Sequence, residues 1–177
     1  MGVVKGYALF ATTLGRCGVH WSDAGLAGLL LPDFDDATLR RRLEHRSGAE
    51  EAVPPGHVAD AIARVVALTS GELADLSRIE LDLRGVPAFH QRVYRETRQI
   101  PPGTTSTYGA LARQLGDPGA SRAVGQALGR NPFAIVVPCH RVLAASGIGG
   151  FTAPGGLHTK AQLLAIESRH TQPGLWA

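Results

Sequence analysis

Two short helical stretches, "TSTYGALARQLG" and "DPGASRAVGQALGRNP", meet at a tight turn over residues 116–119. Thr107 offers a hydroxyl as N-cap to the first, Gly116 stops it, and Pro132 closes the second. Two short helices joined by a tight Gly/Pro turn form a helix-turn-helix pattern, which fixes the second half of the chain as a small, mainly helical domain. Around it, "PAFHQRVYRETRQI" reads as a helix with Phe89, Val93 and Tyr94 on one face, broken by Pro101–Gly103. "FAIVV" reads as a short buried strand, and "HTKAQLLAIESR" as a last helix containing Leu163, Leu164 and Glu167.

The first half has a different rhythm. "GYALFATTLGRCGVHWSDAGLAGLLLPDFD" predicts three short strands with turns near Gly15 and near Ser22–Gly25. A helix is expected from just after Asp35 or Asp36 to near Gly48. "EEAVPPG" is a loop, and "HVADAIARVVALTSG" places Val58, Ile62, Val65, Val66 and Thr69 on one helical face. "IELDLRG" alternates like a strand. The expected class is α+β: a small N-terminal domain with an antiparallel sheet over residues 1–85, then the helix-turn-helix domain over 86–177.

With 177 residues and 44% hydrophobic residues the chain can bury a sizeable core. No apolar run approaches the roughly 20 residues that span a bilayer. "YALFATTLG", which carries Thr12, Thr13 and Gly15, reads as a strand rather than a signal peptide. The two cysteines, Cys17 and Cys139, form no CxxC; Cys17 and His20 alone do not make a metal site, so no metal and no cofactor are expected. A reducing, cytoplasmic setting is expected. Charge is unevenly spread: residues 1–85 hold 9 Lys+Arg against 12 Asp+Glu, a net −3, and residues 86–177 hold 9 against 3, a net +6. A cationic half attracts polyanions, so nucleic acid is the first partner to consider, with a merely soluble basic domain as the alternative.

On a helical wheel, Val124 and Leu128 point inward while Arg122, Gly125, Gln126 and Gly129 fall on the outer side. Glycine costs about 1 kcal/mol in a helix interior, so two of them on one face suit something large approaching the backbone. An ordinary solvated face stays open as the other reading. In "IVVPCHRVLAASGIGG" a thiol, a base and a cation stand side by side. A buried, inert cysteine is the commonest kind. Against that, His140 is a base beside the thiol, Arg141 adds charge that favours thiolate, and Gly147, Gly149, Gly150, Gly155 and Gly156 supply a loop able to wrap a flat ligand. Glu167 is one of the few acids in this half that can orient His140. A thiolate next to a nucleic-acid-binding element suggests chemistry on a base that has left the stack.

"NPFAIVVPCHRV", with "IPPGTTSTYGALA" and "SRAVGQAL" upstream and "GGFTAPGGLHTKAQLLAIE" downstream, resembles the O6-alkylguanine-DNA alkyltransferases, the methylated-DNA–protein-cysteine methyltransferases. The resemblance is strong over residues 87–168, and the first half fits in length and in its strand-rich start. It implies a ribonuclease H-like N-terminal domain and a winged-helix-like C-terminal one. It implies a monomer that binds double-stranded DNA containing O6-alkylguanine through the minor groove, with no cofactor and no membrane.

By the same resemblance Cys139 takes the alkyl group from O6 of guanine, and from O4 of thymine, in a single SN2 displacement that leaves each molecule spent. His140 would be the base, working through a water, with Glu167 holding its imidazole. Tyr108 would stand by the flipped nucleotide, and Asn131 would brace the turn before Cys139. Arg122 would enter the duplex in place of the flipped base, with Ser121, Ala123, Gly125 and Tyr108 also against DNA. Val142 and the stretch Phe151, Thr152, Ala153, Pro154 would line the base pocket. Several relatives carry Tyr or Trp near this Gly-Gly, so the width of the pocket is where this sequence departs from them. Some members bind zinc in the N-terminal domain, and no matching ligand set is visible here.

Overall fold

The computed structural model describes residues 5–151 and 155–169. They fall into two compact units, one drawn from residues 5–84 with 132–136, the other from 85–131 with 137–151 and 155–169.

The first unit is built on an antiparallel meander, β1 (Gly6–Thr12), β2 (Gly15–Ser22) and β3 (Gly25–Leu30). Its two turns fall where the glycines allow, with Thr12 paired to Gly15 and Ser22 to Gly25. Helix α1 (Asp36–Ser47) starts on the Asp35 carboxylate, which accepts from Thr38 N at 2.7 Å, and stops at Gly48 in the left-handed conformation, φ 59°. Its Leu39 and Leu43 join Tyr7 and Leu30 in a fully buried cluster. That close approach needs Gly18 in β2, where a Cβ would come within 2.6 Å of a Leu43 methyl.

Helix α2 (Gly56–Thr69) buries Val58, Ala61, Val65, Leu68 and Thr69. The sequence placed Ile62 and Val66 on this face; they are only partly covered, and the small Ala61 lies at the packed centre instead. The stretch "IELDLRG" is not a strand. It touches β3 through one parallel bridge, Leu26 with Leu81, after which the Asp82 carboxylate caps Arg84 N at 3.0 Å and bends the chain away. "FAIVV" is not a strand either. Leu29 exchanges main-chain bonds with Pro132 and Ala134, and the chain then turns through Val136 N to Ala134 O at 2.8 Å. Ile135 sits at φ 70°, which no strand permits and which a β-branched residue rarely adopts. Prolines 132 and 138 flank the turn and cannot donate to a ladder.

The second unit holds α3 (Ala88–Thr97), β4 (Ser106–Thr107), α4 (Tyr108–Gln114), α5 (Ser121–Gly129), β5 (Val142–Leu143) and α6 (Gly156–Ser168). Helix α3 buries Val93, Tyr94 and Thr97, with Phe89 half-covered, and Tyr94 Oη bonds Ala127 O of α5 at 2.8 Å. Thr107 caps α4 through Ala110 N at 3.0 Å, and a one-turn 3₁₀ segment, Pro118–Ala120, leads straight into α5. The helix-turn-helix read from the sequence is therefore present, and the architecture is α+β. Strands β4 and β5 pair in parallel, Ser106 with Val142 and Thr107 with Leu143. Among the described residues no helix is long and apolar enough to cross a membrane.

Candidate active site

The pairing of β4 with β5 brings two distant stretches together. Tyr108 follows β4 directly, and the 3₁₀ turn Cys139–Arg141 runs directly into β5. Cys139 thus opens a helical turn rather than ending a strand. Asn131, just beyond α5, donates from Nδ2 to Val137 O at 2.9 Å and to Cys139 Sγ at 3.4 Å. Burial pushes the thiol pKa up; the Asn131 bond, the Lys160 charge and the peptide N–H groups of Cys139 and His140 pull the other way.

His140 is wholly buried, and its Nε2 lies 2.8 Å from Glu167 Oε1. Arg141 grips the same carboxylate with Nε on Oε2 at 2.9 Å and Nη2 on Oε1 at 2.7 Å, and it donates from Nη1 to Ile100 O at 2.6 Å. Burial alone would raise the Glu167 pKa, but His140 and Arg141 together bring it to about 2. The carboxylate is ionised, so His140 Nε2 is the protonated nitrogen and Nδ1 carries the lone pair. Nδ1 is buried and has no hydrogen-bond partner in the protein. Burial, opposed by Glu167, holds the His140 pKa below its usual value, so at neutral pH the ring is a free base. Arg141 is committed to Glu167 and Ile100; its role here is to keep the carboxylate charged, not to sit against the thiol as the sequence suggested.

After the Asn131 bond, the charge that favours the Cys139 thiolate is that of Lys160, whose own pKa burial lowers and which the sequence reading missed. Its side chain is fully buried, and Nζ donates to Val142 O at 2.7 Å and to Gly150 O at 3.1 Å. The signal was present: Lys160, Leu163 and Glu167 share one face of α6, and all three are buried.

Tyr108 is half-buried, and its pKa is raised by burial and then by Cys139. On α5, Val124, Ala127 and Leu128 face the core; Arg122, Gln126 and Gly129 are exposed, and Ser121, Ala123 and Gly125 are partly so. A Cβ on Gly125 would sit 3.9 Å from the Tyr108 ring, so this glycine borders the tyrosine as well as the open face. Val142 is buried with its carbonyl on Lys160, and Phe151 is partly covered. Thr152, Ala153 and Pro154 lie outside the described residues. Among the described residues no three His, Cys, Asp or Glu side chains gather as metal ligands. Cys17 is buried within β2 with its pKa pushed up to about 11 by that burial, which keeps it an unreactive thiol.

A buried carboxylate–imidazole pair, a partly buried thiol with a donor and a cation near it, and a smooth helix bearing one exposed arginine make a nucleophile site next to a nucleic-acid-binding motif. Comparison with known proteins agrees. Residues 88–169 match the family model described as "6-O-methylguanine DNA methyltransferase, DNA binding domain". The methylated-DNA–protein-cysteine methyltransferase of Mycolicibacterium paratuberculosis is 51% identical over 122 residues, 68% of this chain and 72% of that protein. The bifunctional transcriptional activator/DNA repair enzyme Ada of Escherichia coli is 38% identical over 167 residues, 94% of this chain and 46% of its own. The crystal structure of Mycobacterium tuberculosis OGT in complex with DNA superposes with a TM-score of 0.72 at 36% identity, covering 92% of each chain. The chain belongs to the methylated-DNA–protein-cysteine methyltransferase family.

Proposed function

We propose that this protein repairs DNA by moving the O6-alkyl group of guanine, and the O4-alkyl group of thymine, onto its own Cys139. The substrate is duplex DNA entered from the minor groove, and the protein acts as a cytoplasmic monomer. Residues 1–85 form the N-terminal, ribonuclease H-like domain, and residues 86–177 carry DNA binding and the alkyl acceptor.

The observation that carries this is the chain of contacts from Arg141 through Glu167 to His140, in a family named for a cysteine acceptor. The ionised carboxylate fixes the proton on Nε2 and leaves Nδ1 as the base. A water between Nδ1 and the thiol passes the proton on, and the thiolate forms as the nucleophile. Sulfur attacks the alkyl carbon; the S–C bond forms as the C–O6 bond breaks. The electron pair returns to the guanine ring, which takes up a proton, and Tyr108 hydrogen-bonds the ring to make it the better leaving group. A thioether has no good leaving group, so each chain reacts once. Asn131 braces the turn and the sulfur. Arg122 enters the stack, while Ser121, Ala123 and Gly125 let α5 lie close to DNA, and Val142 with Phe151, Thr152, Ala153 and Pro154 borders the extruded base.

A protein that senses the lesion without repairing it needs no acceptor thiol, whereas Cys139 here is supported by Asn131 and Lys160. The test is a titration with duplex DNA containing O6-methylguanine. Transfer should saturate at one methyl per chain and vanish in Cys139→Ser, with folding and DNA affinity nearly intact. Continued turnover, or residual transfer in the variant within a few-fold of wild type, would refute the assignment.

A further inference from the structure

We infer that Gly149 is a positioning residue for Tyr108: the absence of a side chain at residue 149 sets where the Tyr108 hydroxyl stands. This rests on the proposed role of Tyr108 beside the extruded guanine, and it concerns a residue to which that proposal gives no part.

Gly149 adopts φ 78°, in the left-handed region. A Cβ built on it would lie 3.1 Å from Ala144 N, 3.2 Å from Tyr108 Oη and 3.3 Å from Tyr108 Cε2. Each distance is tight enough that something has to shift by a few tenths of an ångström. The loop has little freedom to withdraw. Gly147 N bonds Ala144 O at 3.2 Å on one side of residue 149, and Lys160 Nζ bonds Gly150 O at 3.1 Å on the other. Ala144 is main chain, continuous with β5, whose register is fixed by its pairing with β4. The neighbour left to move is the Tyr108 side chain.

It has room to move on its far edge. There the ring carbons Cδ1 and Cε1 face Gly125, where even an added Cβ would sit 3.9 Å away. The ring therefore stands between two glycines, one close to its hydroxyl and one set back. Any side chain at 149 pushes the hydroxyl toward α5 and away from its present position. Misplacing a reacting group by a fraction of an ångström to an ångström weakens catalysis by as much as about a hundredfold.

The test compares single-turnover methyl transfer from duplex O6-methylguanine at saturating DNA in wild type, Gly149→Ala, Gly149→Asn, Tyr108→Phe and the two double variants. Asparagine tolerates positive φ better than alanine, so it supplies the Cβ with less backbone strain and serves if the alanine variant folds poorly. Both single substitutions at 149 should slow transfer about tenfold, and in the Tyr108→Phe background they should slow it by less than about twofold further, as expected of two groups acting through one contact. Alkylation of Cys139 by iodoacetamide, which needs no tyrosine, should stay at the wild-type rate. Three results would overturn the inference: a wild-type rate in Gly149→Asn, full slowing that persists without the hydroxyl, or a parallel loss of iodoacetamide reactivity. Wild-type protein that gains no methyl group at all would instead overturn the alkyl-transfer function itself.

Discussion

Asn131 Nδ2 stands 3.4 Å from Cys139 Sγ and donates to Val137 O at 2.9 Å, so one amide ties the end of α5 to the turn before the thiol and to the thiol itself. A donor on sulfur favours thiolate over thiol. Asn131→Ala should therefore raise the Cys139 pKa and move the midpoint of the iodoacetamide pH–rate profile upward. Val137 O keeps its bond from Cys139 N at 2.8 Å, so losing the amide bond to it should lower stability by only about 1 kcal/mol in urea unfolding. An unchanged midpoint would leave Asn131 with a purely structural role.

Glu167 serves two partners, and its substitution should separate them. In Glu167→Gln, His140 loses the anion that fixes its tautomer, so transfer should slow and the thiol pKa should rise, with DNA affinity unchanged. Arg141 becomes a buried cation without a counter-ion, and stability should fall by about 3–5 kcal/mol. The wild-type contribution has a defined sign. The folded carboxyl has a pKa of about 2 against its usual 4.5, so its stabilisation is present above 4.5 and is lost as pH falls toward 2. The slope of stability with pH in that window should be shallower in Glu167→Gln.

The elements were legible wherever local chemistry set them. Asp35 and Gly48 bracket α1, Thr107 caps α4, and Gly15 and Gly25 turn the meander, all through bonds within a few residues. The sequence misled where long-range contact decided. "FAIVV" has a strand's composition, but its backbone bonds go to Leu29 and back on itself through Ile135. Arg141 is the cation the sequence sets beside the thiol, and Lys160 goes unnoticed there, because charge next to a thiol in sequence is not charge next to it in space. Arg141 turns to Glu167, while Lys160, twenty-one residues after Cys139, supplies the field.

His20 gives the first unit its own pH dependence. Its ring lies over Gly28 of the neighbouring strand, so close that a Cβ there would be 2.2 Å from Nε2. Burial, with Arg46 adding to it and Asp82 opposing, lowers its pKa to about 4 from the usual 6.5. The unfolded chain therefore binds this proton at a higher pH than the folded one, and stability falls as pH drops from about 6.5 to about 4. The loss attributable to His20 should be about 2–3 kcal/mol. Thermal unfolding between pH 7 and pH 4 should show a flatter dependence in His20→Gln than in wild type.

Arg122 is the exposed long cation on the small-residue face of α5. Extruding a base leaves a void, and unstacking costs a few kcal/mol. A guanidinium can stack in that gap and hydrogen-bond the orphaned partner. Arg122→Ala should slow repair strongly in duplex DNA, less on a mispaired or single-stranded substrate, and hardly at all on free O6-alkylguanine base. Equal slowing on duplex and free base would assign Arg122 to the fold or the pocket instead.

The most direct test is the intact mass of the protein after incubation with duplex DNA containing O6-methylguanine, followed by peptide mapping. The account predicts a single gain of one methyl group, carried by the peptide that contains Cys139, with unmodified guanine left in the DNA. No gain, or a gain on any other residue, would contradict it.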